Sequence, residues 1–205
     1  MDSTTLIGFI AFALVAGLTP GPNNLMLTAS GANYGFRRSL PHIAGINAGF
    51  CSLVVAGGFG LAGLFAAVPM LYDIMKAISI VFLLYLAWKI ATATSGGNKA
   101  GDAEDSTSRG PLTFIEAAMF QIVNPKSVAV IISSVSAYTT DAESLAGEVL
   151  ILVLVFFLVT IISTSTWCLF GTAIGRLFVN PVSLRRFNIC MASLLLASMA
   201  PILFT

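Results

Sequence analysis

The chain has 205 residues, 57% of them apolar and 9% charged, and its formal net charge is +1. A soluble domain usually carries about a quarter charged residues, so this composition is that of an integral membrane protein. The near-neutral balance also removes any bulk electrostatic case for nucleic acid or for a polybasic membrane anchor.

The N-terminus, Met1-Asp2-Ser3-Thr4-Thr5, holds no Lys or Arg. A signal peptide needs a basic leading region, so the first apolar run is expected to be a membrane span. Apolar runs of about 20 residues predict six transmembrane helices, over residues 4–33, 40–67, 70–93, 112–138, 147–175 and 184–204. The expected fold is therefore an all-α membrane protein. Between the third and fourth spans, residues 94–111 form a polar, glycine-rich stretch expected to be a mobile linker. No segment suits a soluble domain, and no glycine-rich Lys-Ser/Thr phosphate loop occurs. The chain reads as a single transporter domain over 1–205, in two repeats, 1–93 and 112–205.

Thr19-Pro20-Gly21-Pro22-Asn23-Asn24 lies inside the first span, and Asn124-Pro125-Lys126-Ser127 inside the fourth. Proline lacks a backbone N–H and clashes with the preceding turn, so both helices should break. In lipid such a break survives only where it is buried in protein or lines a cavity. Thr19 and Asn124 are expected to cap helix restarts, with Pro20 and Pro125 as first helical residues. A restart presents free N–H groups and a positive dipole end, which bind carboxylates. The carbonyls freed upstream, around residues 16–18 and 120–123, would accept from an ammonium. Donors beside acceptors suit a zwitterion, so an amino acid is the expected substrate class. Lys126 is the single cation deep in a span, and an intramembrane charge is functional by default. Asn23 and Asn24 extend the same polar cluster. Their simpler task is to satisfy the broken backbone.

Charge placement orients the spans. Arg37, Arg38, Lys89, Lys99, Arg109, Arg176, Arg185 and Arg186 fall on one side, and Lys76 falls on the other. The positive-inside bias puts the eight in the cytoplasm and both termini outside. Tyr85 and Trp88 precede Lys89 as an interfacial aromatic belt would. The two halves then have opposite topology. Each break lies roughly 20 Å from the face where its span begins, in a core about 30 Å thick. The breaks therefore overlap near the midplane, as in a secondary transporter built from two inverted three-helix repeats.

The remaining polar residues invite simpler readings. Thr113 and Glu116 form a capping box, which competes with a proton-carrying role for Glu116. Asp73 and Lys76 suit a weak surface pair. His42 is expected at the basic interface rather than as a proton switch. Gln121 and Asn124 share a face, as do Thr160 and Thr164, whose hydroxyls commonly bond backbone. Asn47, Ser163 and Ser165 are the other polar residues noted within spans. Gly31-xxx-Gly35 and Gly45-xxx-Gly49 permit close helix packing, chiefly within the monomer and secondarily in a homodimer. Cys51, Cys168 and Cys190 have no metal-ligand spacing and read as packing residues.

Thr19-Pro-Gly-Pro-Asn-Asn24, Gly35-Phe-Arg-Arg-Ser39, Leu86-Ala-Trp-Lys-Ile90 and Asn124-Pro-Lys126 occur in this order along almost the whole chain. In these runs the chain resembles the LysE/RhtB family of bacterial amino-acid exporters. The resemblance implies an inner-membrane secondary exporter of amino acids or close derivatives, driven by the proton gradient. It places the family's motif roles on Pro20, Gly21, Pro22, Asn23, Asn124, Pro125 and Lys126. The Leu86–Ile90 run is similar to the branch exporting cysteine and O-acetylserine, with threonine and homoserine exporters close by. Phe82 stands where a Tyr is frequent, and Ala87 where a Gly is frequent. These departures leave the substrate open. The competing readings are an exporter of another solute such as a metal cation, a membrane enzyme, and a non-transporting subunit. A cation site would want intramembrane carboxylates. An enzyme would want a nucleophile–base or metal constellation, and a single histidine supplies neither. No cofactor and no metal are expected.

Overall fold

The computed structural model describes residues 1–61, 68–93, 110–139, 144–178 and 180–200. Within them the chain forms eight α-helices: α1 Ser3–Leu18, α2 Pro22–Tyr34, α3 Leu40–Ala56, α4 Pro69–Ala91, α5 Phe114–Val123, α6 Pro125–Tyr138, α7 Leu145–Leu177 and α8 Pro181–Ala197. A 3-10 turn, Arg37–Ser39, leads into α3, and a π-helical turn, Gly57–Leu61, follows it. Most of the expected linker, and the connection after Leu61, lie outside the described residues.

Arg37–Gly60, Asp73–Ala91 and Leu145–Leu177 are long and apolar enough to cross a membrane. The bent pairs α1–α2 (51°) and α5–α6 (62°) each qualify together, giving three to five candidate spans among the described residues. The sixth predicted segment corresponds to α8. Large apolar side chains such as Ile7, Val15, Val81, Ile115, Leu158 and Leu177 point outward, as they do where the solvent is lipid.

Local chemistry sets the ends. Asp2 caps α1, its carboxylate accepting from the Thr5 N–H at 2.7 Å. Those Thr5 hydrogen bonds hold its carboxyl below the usual range. The Thr113–Glu116 capping box forms at the start of α5, and Asn180 caps α8 through the Val182 N–H at 2.9 Å. Gly35, at φ 79°, ends α2 in a conformation other residues rarely adopt.

The helices pack chiefly in three pairs: α2 on α7, α3 on α5, and α4 on α8. Each pair joins one half of the chain to the other. In the first two pairs glycines let backbones touch. Gly31 meets the Cys168 carbonyl, Gly171 the Thr28 backbone and Gly175 the Ala32 backbone. Gly45 and Gly49 meet the backbone of α5 at Phe114 and Ala118. The expected role of Gly31, Gly45 and Gly49 in close packing is seen, whereas Gly35 is a helix terminator. All these contacts lie toward the end of the molecule carrying Arg37, Lys89 and Arg176, here called the basic end. Toward the opposite end, side chains fill the space. Phe9 meets Phe156 and Tyr138 with ring centroids 5.1 and 5.0 Å apart, and Phe50 meets Phe156 at 5.2 Å.

Candidate functional site

The two breaks face each other across a recess. Its lining includes Gly21, Pro22, Asn23 and Asn24 from the first break, and Asn124, Lys126 and Ser127 from the second. Thr160, Ser163 and Thr164 of α7 complete its polar wall, with Ile46, Phe50 and Phe156 on the apolar side. Of the nine expected site residues, Thr19, Pro20 and Pro125 do not line it.

The first restart is shifted from expectation. Thr19 ends α1 instead of starting α2: its hydroxyl and its N–H both donate to the Val15 carbonyl. The N-cap of α2 is Gly21, and Pro22 is the first helical residue. The reason is local. A residue preceding proline is driven out of the α region, so Gly21, extended at φ −168° and ψ 178°, cannot lie within a helix begun at Pro20. The second restart follows expectation, with Asn124 capping the Lys126 N–H at 3.2 Å and Pro125 at the first helical position.

The freed carbonyls are shared out unevenly. Asn24 donates to both Gly17 and Thr19 carbonyls, at 2.9 and 3.0 Å. Ser163 adds a bond to Gly17 at 2.7 Å, and the Lys126 ammonium donates to the Thr19 carbonyl at 2.7 Å. At the second break Ser79 of α4 donates to the Val123 carbonyl. Asn24 thus performs the simpler of its two expected tasks. Asn23 instead forms a reciprocal amide pair with Gln121, at 2.8 and 3.1 Å, and Ser127 donates to the same Gln121 oxygen at 3.0 Å. This pair ties α2 to α5, one break to the other.

Lys126 reaches Thr19 because Gly21 has no side chain. A Cβ on Gly21 would sit 2.8 Å from Lys126 Cδ and 3.1 Å from its Nζ. Among the described residues no Asp or Glu lines the recess, and the lysine charge there is met by a carbonyl dipole. The start of α2 has no side-chain cap either. The recess therefore offers a cation and uncapped helix N–H groups to an anion, beside a carbonyl already accepting an ammonium. Ser79, Ile46 and Phe156 escaped the sequence reading. Ser79 is a single hydroxyl in the run Ile78-Ser-Ile-Val81, indistinguishable in sequence from one that bonds its own helix.

Other expectations resolve differently. Glu116 has its capping box, with Oε2 accepting the Thr113 N–H at 2.7 Å, and Oε1 lies 3.9 Å from Lys89 Nζ. Among the described residues no ion pair joins Asp73 to Lys76. His42, in the first turn of α3 beside the basic end, is buried within the protein at 1% exposed. Thr164 bonds the Thr160 carbonyl at 2.6 Å, yet both line the recess. Cys51, Cys168 and Cys190 are free thiols, and only Cys168 is buried.

The family model for the LysE type translocator matches residues 14–204. A protein of Escherichia coli O139:H28 (strain E24377A / ETEC), named cysteine/O-acetylserine efflux protein, is 28% identical over 199 residues, covering 96% of each chain. Proteins of the same name from Escherichia coli (strain K12) and Shigella sonnei (strain Ss046) are 28% identical over 198 residues, covering 95% of each chain. No solved structure gives a significant match.

Proposed function

The chain belongs to the LysE type translocator family, and from that premise we propose that it exports a small neutral amino acid or close derivative, of the cysteine/O-acetylserine type, in exchange for protons. It is a membrane transporter and not an enzyme. The observation that carries the substrate class is the recess between the two breaks. A substrate carboxylate would pair with Lys126 and the uncapped start of α2, and its ammonium would take a carbonyl of the first break. The residues assigned to this site are Thr19, Pro20, Gly21, Pro22, Asn23, Asn24, Asn124, Pro125 and Lys126. A lining without Asp or Glu favours a zwitterion over a metal cation.

The proposed frame is six crossings in two inverted repeats, 1–93 and 112–205, with both termini outside and the basic end in the cytoplasm. The packing supports it. Under an exchange of first with fourth, second with fifth and third with sixth spans, the first–fifth contact (α2 on α7) corresponds to the fourth–second contact (α5 on α3) as whole spans only, since α2 follows its break and α5 precedes its own, and α4–α8 corresponds to itself. The correspondence is broken in depth: the close backbone contacts all lie toward the basic end. Alternating access follows by exchanging which end is closed.

The test is efflux of radiolabelled cysteine, O-acetylserine, threonine and homoserine from preloaded cells. Wild type is expected to release at least one of them, and Lys126→Ala and Pro22→Ala to abolish release while still inserting. Wild-type rates in both variants would sink the site. Export unchanged by an uncoupler would sink proton exchange.

A further inference from the structure

A second recess lies at the basic end. Along α2 and α3 it is lined by turns that the first recess does not touch: Met26 to Tyr34 of α2 and His42 of α3, against Gly21 to Asn24 and Ile46. Lys89 and Leu86 of α4 form its opposite wall.

His42 is the single histidine of the chain. Its ring lines this recess while 1% exposed, and neither Nδ1 nor Nε2 has a hydrogen-bond partner. A buried polar group without a partner is costly, and such a group signals a missing water, ion or ligand. A neutral imidazole offers one N–H donor and one acceptor nitrogen. Lys89 shares the recess, and its carboxylate partner, Glu116, stands 3.9 Å away with one oxygen already committed to its helix cap. Lys89 therefore retains donors for another anion. Tyr34 is the other titratable group on the lining, and Asn33 is fully engaged with Ala29 and Asn188.

We propose that this recess is a second binding site, which takes the carboxylate of a small amino acid on Lys89 and His42 before the solute reaches the breaks. The His42 acceptor nitrogen suits the ammonium of the same solute, and Met26 and Leu86 suit its apolar remainder. The site rests on the exporter reading for its ligand class and on His42 and Lys89 for its position.

The one histidine makes the test selective. Purified protein carrying ring-¹⁵N histidine gives His42 resonances alone. Titration with O-acetyl-L-serine, L-cysteine, L-threonine and L-homoserine is read in wild type, in Lys126→Ala and in Lys89→Gln. The expected result is a saturable ring shift with at least one of them, kept in Lys126→Ala and lost or weakened at least tenfold in Lys89→Gln. A ring unmoved by all four, or a shift lost in Lys126→Ala, or one unchanged in Lys89→Gln, overturns the site. Efflux by wild type is measured in parallel. Export with an unmoved ring refutes this site alone; a shift without export refutes the exporter reading and leaves the site standing.

Discussion

Asn24 and Lys126 meet at one oxygen, the Thr19 carbonyl, yet serve different ends. Asn24 is buried and its amide holds two carbonyls that no helix can satisfy. Asn24→Ala is expected to lower stability by about 1–3 kcal/mol, the usual penalty for stranding buried polar groups, read as earlier thermal unfolding in detergent. Lys126→Ala removes a charge that has no acidic partner on the recess wall, so it should leave unfolding nearly unchanged while export is lost. Unfolding shifted equally by both variants would contradict this division of labour. Sequence revealed the polar cluster, because prolines and a lysine in an apolar run violate the rules of lipid. It did not reveal which asparagine serves the backbone. That depends on the restart falling at Pro22, and on Asn23 facing Gln121 at a separation of 98 residues.

Among the helices, the close contacts of α2 with α7 explain why hydropathy alone reads their extent but not their neighbours. Gly171 and Gly175 of α7 belong to a mainly apolar helix, 33 residues long. Gly171-xxx-Gly175 repeats the spacing noted at Gly45-xxx-Gly49, a signal that the sequence reading did not use, whereas Gly8 has no such partner and has open space around it. A Cβ at Gly175 would lie 2.5 Å from the Ala32 carbonyl. Gly175→Ala is therefore expected to cost about 1–3 kcal/mol through backbone displacement, against no loss for Gly8→Ala, in the same unfolding assay. Equal behaviour of the two variants would deny the backbone contact. The start of α8 was missed for a related reason. Asn180 and Pro181 form a cap and a first helical residue ahead of the apolar run, and the sequence reading began at the apolar residues themselves.

At the scale of the molecule, the basic end is closed by backbone on backbone and the other end by aromatic rings. If solute enters from the basic end, that closure must open. Asn33 and Asn188 form a reciprocal amide pair there, at 2.7 and 2.9 Å. Asn33→Cys with Asn188→Cys, in a background lacking Cys51, Cys168 and Cys190, is expected to lose export on oxidation and regain it on reduction. Export at full rate in the cross-linked protein would rule out opening between α2 and α8. Reporter fusions to each terminus, active only outside the cytoplasm, should both be active if the proposed orientation holds. Inactive fusions at both ends would reverse it. The helices and their breaks were legible because lipid fixes length and punishes a broken backbone; which end closes by backbone contact was not, because small residues occur toward both ends. One close approach has a consequence for the resting membrane. With only a hydrogen on Gly21, the Lys126 ammonium lies on the Thr19 oxygen. A sodium or potassium ion approaching that oxygen meets a tethered positive charge already donating to it, so the same contact is expected to disfavour inorganic cations and the leak they would carry across the membrane.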